Sequence, residues 1–434
     1  MKGLYRKNGL SRFRFRRIWF SRIAICITTF ILCVIGTSIN AQEAQSSATA
    51  SDLQSFRKAV ADAYKNYETV VDMSNYNFNM SRDKQAIDEV ITDVSNNSPY
   101  IFYNAQKYGI SYTNEKIVKI NLSYLSEYLN SDGSVNIESI KAVRRKINTA
   151  VKKAVKCVKG NMSELEKAMV LHDYIVMNTA YNDSQNKSSR LNICGVLLEN
   201  QANCQGYTIA YKALLNKIGI KSKCVTSIKL KHAWNLVRID NKWYNVDVTW
   251  DDQLINNQDS YGIVSHKYFM GSTSYFKSNG HYGFEANEAS GTKYDNMYWK
   301  DIESAFYYSK GKWLYLWDKG IVQRNSLTGG REKLLYKTKN SWRTDTKIYK
   351  ANASSFVKFN DNKYYFIDGN NIYMYTKSAN KADVIWQTYN NYDESYYLKQ
   401  IMYSEGTIYY RVLKLNGRNF LSGSFNVNSN GMAA

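Results

Sequence analysis

Residues 191–252 read LNICGVLLENQANCQGYTIAYKALLNKIGIKSKCVTSIKLKHAWNLVRIDNKWYNVDVTWDD, and this stretch decides the fold. Cys204 precedes Gln205-Gly206-Tyr207, after which Ile209, Ala210, Ala213, Leu214, Leu215 and Ile218 recur at helical spacing. Gly219 closes that run, as a glycine just past a helix end does. Cys204 therefore sits at or just before a helix N-terminus. There the helix dipole and the free N–H groups favour thiolate over thiol. A sulfur so placed is a nucleophile, and the same N–H groups can stabilise an oxyanion. Taken alone, one cysteine at a helix start reads as a buried structural thiol.

Two further residues change that balance. HAWNLVRI (232–239) and WYNVDVTW (243–250) both alternate, with Asp240-Asn241-Lys242 between them, which predicts an antiparallel hairpin. A two-residue Asp240-Asn241 turn sets His232 opposite Thr249 and Trp234 opposite Asp247. His232 and Asp247 are then diagonal neighbours on one face, roughly 7–8 Å apart at the backbone. A slip of one residue would send Asp247 to the other face. The pattern supplies a base and an orienting carboxylate for Cys204, in the manner of a nucleophile–base–acid triad.

Working outward, in the segment 163–181 Ser163 and Glu166 form a capping box that opens a helix ending near Asn178, with Tyr181 after it. His172 lies on its apolar stripe and reads as a core or cap residue. Residues 52–158 read as an α+β lead-in region: helical spacing over 52–72, a strand at 116–125 and a basic helix over 137–158. From 296 to 434 the chain reads as β. Three similar stretches align on Trp313, Tyr364 and Ile408, at the repeat length of a propeller blade. Three blades do not close a ring, so an open stack or sandwich is the other reading. The Tyr and Trp pattern there is either packing between sheets or a glycan-stacking surface.

At the N-terminus, eight Lys and Arg without any Asp or Glu precede the apolar run IAICITTFILCVIGTSI (23–39). Ile39-Asn40-Ala41 then reads as a cleavage site. Residues 1–41 are expected to be a signal peptide or an uncleaved membrane anchor, and 42–51 a polar linker. Either way the remaining chain is expected outside the cytoplasm, secreted or at the cell surface. The net charge of +21 falls to +13 once those eight residues are set aside. A basic remainder suits anionic wall polymers or glycans. No nucleic-acid motif accompanies the charge, so nucleic acid is not an expected partner. With 44% apolar residues among 434, the chain can bury a core, which excludes general disorder.

The residues Asn203-Cys204-Gln205-Gly206-Tyr207, Gly219-Ile220, His232-Ala233-Trp234-Asn235 and Trp243 to Asp252 together resemble the transglutaminase-like superfamily of bacterial secreted proteins, with its papain-like core. Glu166-Lys167 and His172-Asp173-Tyr174 fit the helix before such cores. The resemblance covers 160–285 and implies a papain-like catalytic core over 159–290; with the α+β N-terminal region and the all-β repeat region over 296–434 read from the residue pattern, the expected fold class is α+β. It implies a Cys204 nucleophile that forms a thioester, His232 as general base and acid, and Asp247 orienting the ring. Trp234 and Tyr207 are the expected substrate-binding residues. Gln201 and Asn203 are weak candidates for the oxyanion side chain.

No cofactor or metal is expected. Asp251 and Asp252 read as caps of the second hairpin strand. His266 and His281 have no partner spacing. Cys157, Cys194 and Cys224 read as buried thiols, with a Cys194–Cys224 disulfide the alternative. The implied activity is acyl transfer on amide bonds of proteins or peptides, to water or to an amine. The alternative is a non-catalytic surface scaffold that binds through its basic, aromatic repeats.

Overall fold

The computed structural model describes residues 48–434 except 185, 256, 257, 344–346, 351, 352 and 416, and of residue 390 it describes only the backbone. The expected signal or anchor (1–41) and linker residues 42–47 lie outside the described residues. None of the described helices is long and apolar enough to cross a membrane. The described residues belong to one compact unit.

The lead-in region opens with α1 (Ala50–Lys65), capped by Thr49 and Asp52 acting as a reciprocal capping box. The helical spacing read over 52–72 stops at Lys65. Val70–Asp72 instead forms β1, because two β-branched valines pair better with a strand edge than they extend a helix. Then follow α2 (Met80–Asn97), β2 (Asn104–Thr113), β3 (Lys116–Tyr124) and α3 (Ile137–Ala154). The three strands form one antiparallel sheet in the order β1-β3-β2.

The core begins with α4 (Glu164–Asn178), opened by the Ser163–Glu166 capping box and ended where its spacing ends. The short strands β4 (Ala180–Tyr181) and β5 (Gln201–Ala202) pair in parallel, with α5 (Ile193–Leu198) between them. The helix α6 (Cys204–Lys217) is followed by Gly219 at φ +83°, a left-handed conformation that a side chain rarely adopts. Gly206 matters for a different reason: a Cβ there would lie 2.4 Å from the Arg190 carbonyl oxygen. The first turn of α6 thus packs against backbone with no room for a methyl group.

A three-stranded antiparallel sheet follows: β6 (Ser222–Ser227), β7 (His232–Ile239) and β8 (Lys242–Val246). Asn235 pairs with Val246 and Ile239 with Lys242, which is the register that a two-residue turn dictates. Asp240 and Asn241 both adopt positive φ (49° and 64°), as a type I′ turn requires. The second strand is shorter than its alternation suggests. It ends at Val246, and Val248–Asp251 coils into a single helical turn, α7. The cause is Asp247, whose carboxylate accepts the N–H groups of Thr249 and Trp250 and so nucleates the turn.

Beyond it come the small hairpin β9 (Leu254–Ile255) and β10 (Gln258–Asp259), then α8 (Thr273–Ser278). The rest is all-β. Successive antiparallel sheets comprise β11 (Tyr307–Ser309), β12 (Lys312–Trp317), β13 (Gly320–Arg324) and β14 (Lys333–Lys337); the hairpin β15 (Ser341–Arg343) and β16 (Ile348–Lys350); β17 (Ser354–Lys358), β18 (Lys363–Asp368), β19 (Asn371–Thr376) and β20 (Lys381–Gln387); and β21 (Tyr396–Ser404), β22 (Thr407–Lys414) and β23 (Phe420–Asn426). The aligned residues Trp313, Tyr364 and Ile408 are each the second residue of a strand, and all are fully buried.

The largest hydrophobic cluster joins the lead-in helices, α4 and α6 with Trp299, Phe306, Trp313 and Tyr315 of the β region. Trp313 also donates its indole N–H to Glu166 Oε1 at 2.9 Å, so the carboxylate that caps α4 also anchors the first β meander. Trp313→Ala should destabilise the chain by about 3–5 kcal/mol. Trp313→Phe, which keeps an aromatic ring but removes the N–H bond and part of the buried indole, should cost less, about 1–3 kcal/mol. Urea unfolding of both variants checks this.

Candidate active site

Three elements bring the site together. Asn203 is the N-cap of α6; its backbone is extended and its side-chain oxygen accepts from the N–H groups of Gln205 and Gly206 at 3.1 and 3.2 Å. Cys204 is the first helical residue. The second and third N–H groups of α6 are therefore committed to the cap. Asn203 itself is buried, with its oxygen spent there, and Gln201 Oε1 accepts from Asn182 and Arg190.

His232 opens β7, paired with Ser227 across the sheet. Its Nε2 lies 2.7 Å from Asp247 Oδ2, and the ring also hydrogen-bonds the Cys204 side chain. Nδ1 is the nitrogen left for the sulfur. Cys204 and His232 are each 8% exposed, while Asp247 is completely buried. Sulfur, imidazole and carboxylate, 43 residues apart from first to last, thus form one connected chain.

Asp247 is used fully. Oδ1 holds the α7 turn through the N–H groups of Thr249 and Trp250, each at 3.1 Å. Oδ2 receives a second imidazole, His281 Nε2 at 2.8 Å, beside His232. Burial alone would depress the His232 pKa. The Asp247 charge and the bonds to Asp247 and Cys204 outweigh it and raise the pKa from 6.5 to about 10. Burial likewise opposes the charge on Asp247, yet the His232 and His281 rings hold its carboxyl well below the usual carboxylate range. For His281 burial prevails, helped by the His232 charge, and its pKa is lowered. One carboxylate therefore faces a ring that keeps its proton and a ring that favours the neutral form.

Aromatic rings fix the imidazole. His232 stacks on Trp234 (centroids 5.8 Å, 23° between planes) and on Trp250 (5.3 Å, 25°). Trp234 and Tyr207, expected at the substrate, are both buried. Trp234 is 1% exposed, and its N–H goes to Asn245 Oδ1 at 2.9 Å. Tyr207 is fully buried, and its hydroxyl contacts Asp252 Oδ2 and the Thr179 carbonyl. Both were placed on the substrate by motif position, but in each case the polar atom is satisfied inside the protein.

Asp251 and Asp252 are not strand caps, since no strand reaches them. Asp252 takes the Tyr207 hydroxyl. Asp251 accepts from His172 Nε2, Ser265 Oγ and the Tyr268 N–H. His172 is a buried core residue, as its position on the apolar stripe implied, but it belongs to a polar cluster with Asp173, Asp251 and His266. His281 and His266 both enter such clusters, although their spacing had suggested no partner. Among the described residues the four cysteines, Cys157, Cys194, Cys204 and Cys224, are all free, so no Cys194–Cys224 disulfide forms.

Residues 151–248 match the model of the transglutaminase-like superfamily. A solved structure described as "Crystal structure of a TGase" is 18% identical over 33% of this chain, with a TM-score of 0.23. The match spans 44% of that protein's own length. Among curated proteins no match was found. The matched segment holds α6, β7 and β8, and with them Cys204, His232 and Asp247, so it is this part of the chain that is similar to the transglutaminase-like superfamily.

Proposed function

We propose that the chain is a cysteine-dependent acyl-transfer enzyme acting on amide bonds of proteins or peptides. The single observation that supports this most is the unbroken chain from Asp247 through His232 to the Cys204 sulfur. In this reading the proton resides on His232, and Cys204 attacks the carbonyl carbon from the start of α6. The tetrahedral oxyanion is met by the Cys204 N–H at the positive end of the helix. His232 passes its proton to the leaving amine, and a thioester remains on Cys204. Water or a second amine, deprotonated by His232, then attacks the thioester and expels the Cys204 thiolate, which leaves the proton on His232 as at the start. Water makes the enzyme a peptidase or amidase, and a lysine-type amine makes it a crosslinker.

The proposal extends to location and to the repeats. The basic N-terminus and apolar 23–39 run support export, with or without a retained anchor. The three buried strand positions at blade-like spacing support a propeller-like or sandwich region over 296–434. The net positive charge supports an anionic wall polymer or glycan as its neighbour.

Alkylation tests the site. Iodoacetamide at pH 6–7 should label Cys204 much faster than Cys157, Cys194 or Cys224, and His232→Ala should slow it. Equal labelling of all four would leave the scaffold reading instead. Incubation with a glutamine donor and a labelled amine then separates crosslinking from hydrolysis.

A further inference from the structure

The polar cluster beneath the core lies outside the proposed chemistry. His172 and Asp173 come from α4, Asp251 from the end of α7, and His266 from the loop that follows β10. His172, His266 and Asp251 are fully buried and Asp173 is 4% exposed. His172 Nδ1 lies 2.9 Å and His266 Nε2 lies 2.8 Å from the same oxygen, Asp173 Oδ1. Two imidazole nitrogens and a carboxylate oxygen thus converge within 4.8 Å of one another.

What surrounds those three atoms is equally specific. A histidine that ligates a metal almost always gives its other ring N–H to a carboxylate or a backbone carbonyl, which fixes the ring and its tautomer. Here His172 Nε2 meets Asp251 Oδ2 at 3.2 Å, and His266 Nδ1 meets the Ile302 carbonyl at 3.2 Å. The remaining oxygen of Asp173 accepts the Phe306 N–H at 2.7 Å. Asp251 is itself held by Ser265 Oγ and the Tyr268 N–H, each at 3.0 Å. Every donor atom of the three therefore has a partner on its far side that aims it inward.

The group His232, Asp247 and His281 has similar spacing but not this support. There the second nitrogen of His232 is taken by Cys204, and His281 Nδ1 is buried with no hydrogen-bond partner. We infer that His172, Asp173 and His266 form a binding site for a zinc-class divalent transition ion. Nitrogen and carboxylate donors without thiolate suit that class, and three protein ligands leave one position of a tetrahedral ion for water. Bound there, the ion ties α4 to residues 302–306 and, through Asp251, to the α7 turn on which Asp247 stands. The site would join the core to the β region without touching the Cys204 sulfur.

The test uses the full chain, stripped with a chelator and titrated with Zn2+ against a chromophoric competitor. One equivalent should bind per chain. Asp251→Asn should weaken binding by about 10–100-fold, as loss of an outer hydrogen bond to a ligand does. His266→Ala should abolish stoichiometric uptake, and Cys204→Ser should leave it unchanged. Cobalt in the unaltered chain provides a check free of folding defects, and its spectrum should lack a sulfur-to-metal charge-transfer band. Failure of the wild-type chain to retain zinc would overturn the site. So would equal affinity in His266→Ala, loss of binding in Cys204→Ser, or a sulfur band with cobalt.

Discussion

Cys204→Ala should remove acyl transfer almost entirely, on the order of 10⁶-fold in turnover, because no other group of the site can form the thioester. Among the described residues the other thiols are differently placed. Burial raises Cys157 to about 11 and Cys194 and Cys224 to about 12, which keeps them as thiols at neutral pH. None of them is hydrogen-bonded to His232. Substrate affinity should survive, since the alanine removes a reacting atom and no more. The measurement is single-turnover release of the amine from an amide donor, with binding followed separately. Residual turnover within tenfold of wild type would assign the chemistry to another group and end the triad proposal.

Asp247→Asn should lower turnover by about 10⁴-fold while leaving Cys204 in place. The amide is nearly the shape of the carboxylate, but it cannot carry the charge that keeps the proton on His232. A second readout follows from the same charge. His232 has an unfolded pKa near 6.5 and a folded one of about 10, so its protonated form contributes stability in full below 6.5. That contribution is lost as pH rises through about 10. Asp247 works in the opposite direction: its depressed pKa contributes above its ordinary 3.8 and is lost in acid. In the asparagine variant the loss on the alkaline side should move toward neutrality. Urea midpoints across pH 5–10 for both proteins measure this. Parallel curves would show that Asp247 does not set the charge on His232.

Much of this was legible in the chain because local rules governed it. Ser163 and Glu166 announce α4, Gly219 closes α6, and Asp240-Asn241 fix the register of the hairpin without help from the rest of the protein. Asp247 shows where local rules stop. Alternation carried the second strand to Trp250, yet a side chain that caps its own successor ended the strand four residues earlier. His281 and His266 were illegible for another reason. They meet their carboxylates across 34 and 93 residues, and no periodicity links positions so far apart. Tyr207 and Trp234 belong to a motif, and a motif gives proximity to the chemistry but not the side from which a residue approaches. Only packing shows that both approach from within.

The carboxylate of Glu166 has one further implication. It serves the start of α4 and the indole of Trp313 at once, and the same apolar cluster runs on through Trp299, Phe306 and Tyr315. A chain severed near residue 296 would strip the outer flank of α4 and leave the cap carboxylate without its indole. The repeats are thus no detachable appendage. Any shuffling of modules through evolution or by design would have to carry the first meander along with the core, as inner wall rather than cargo.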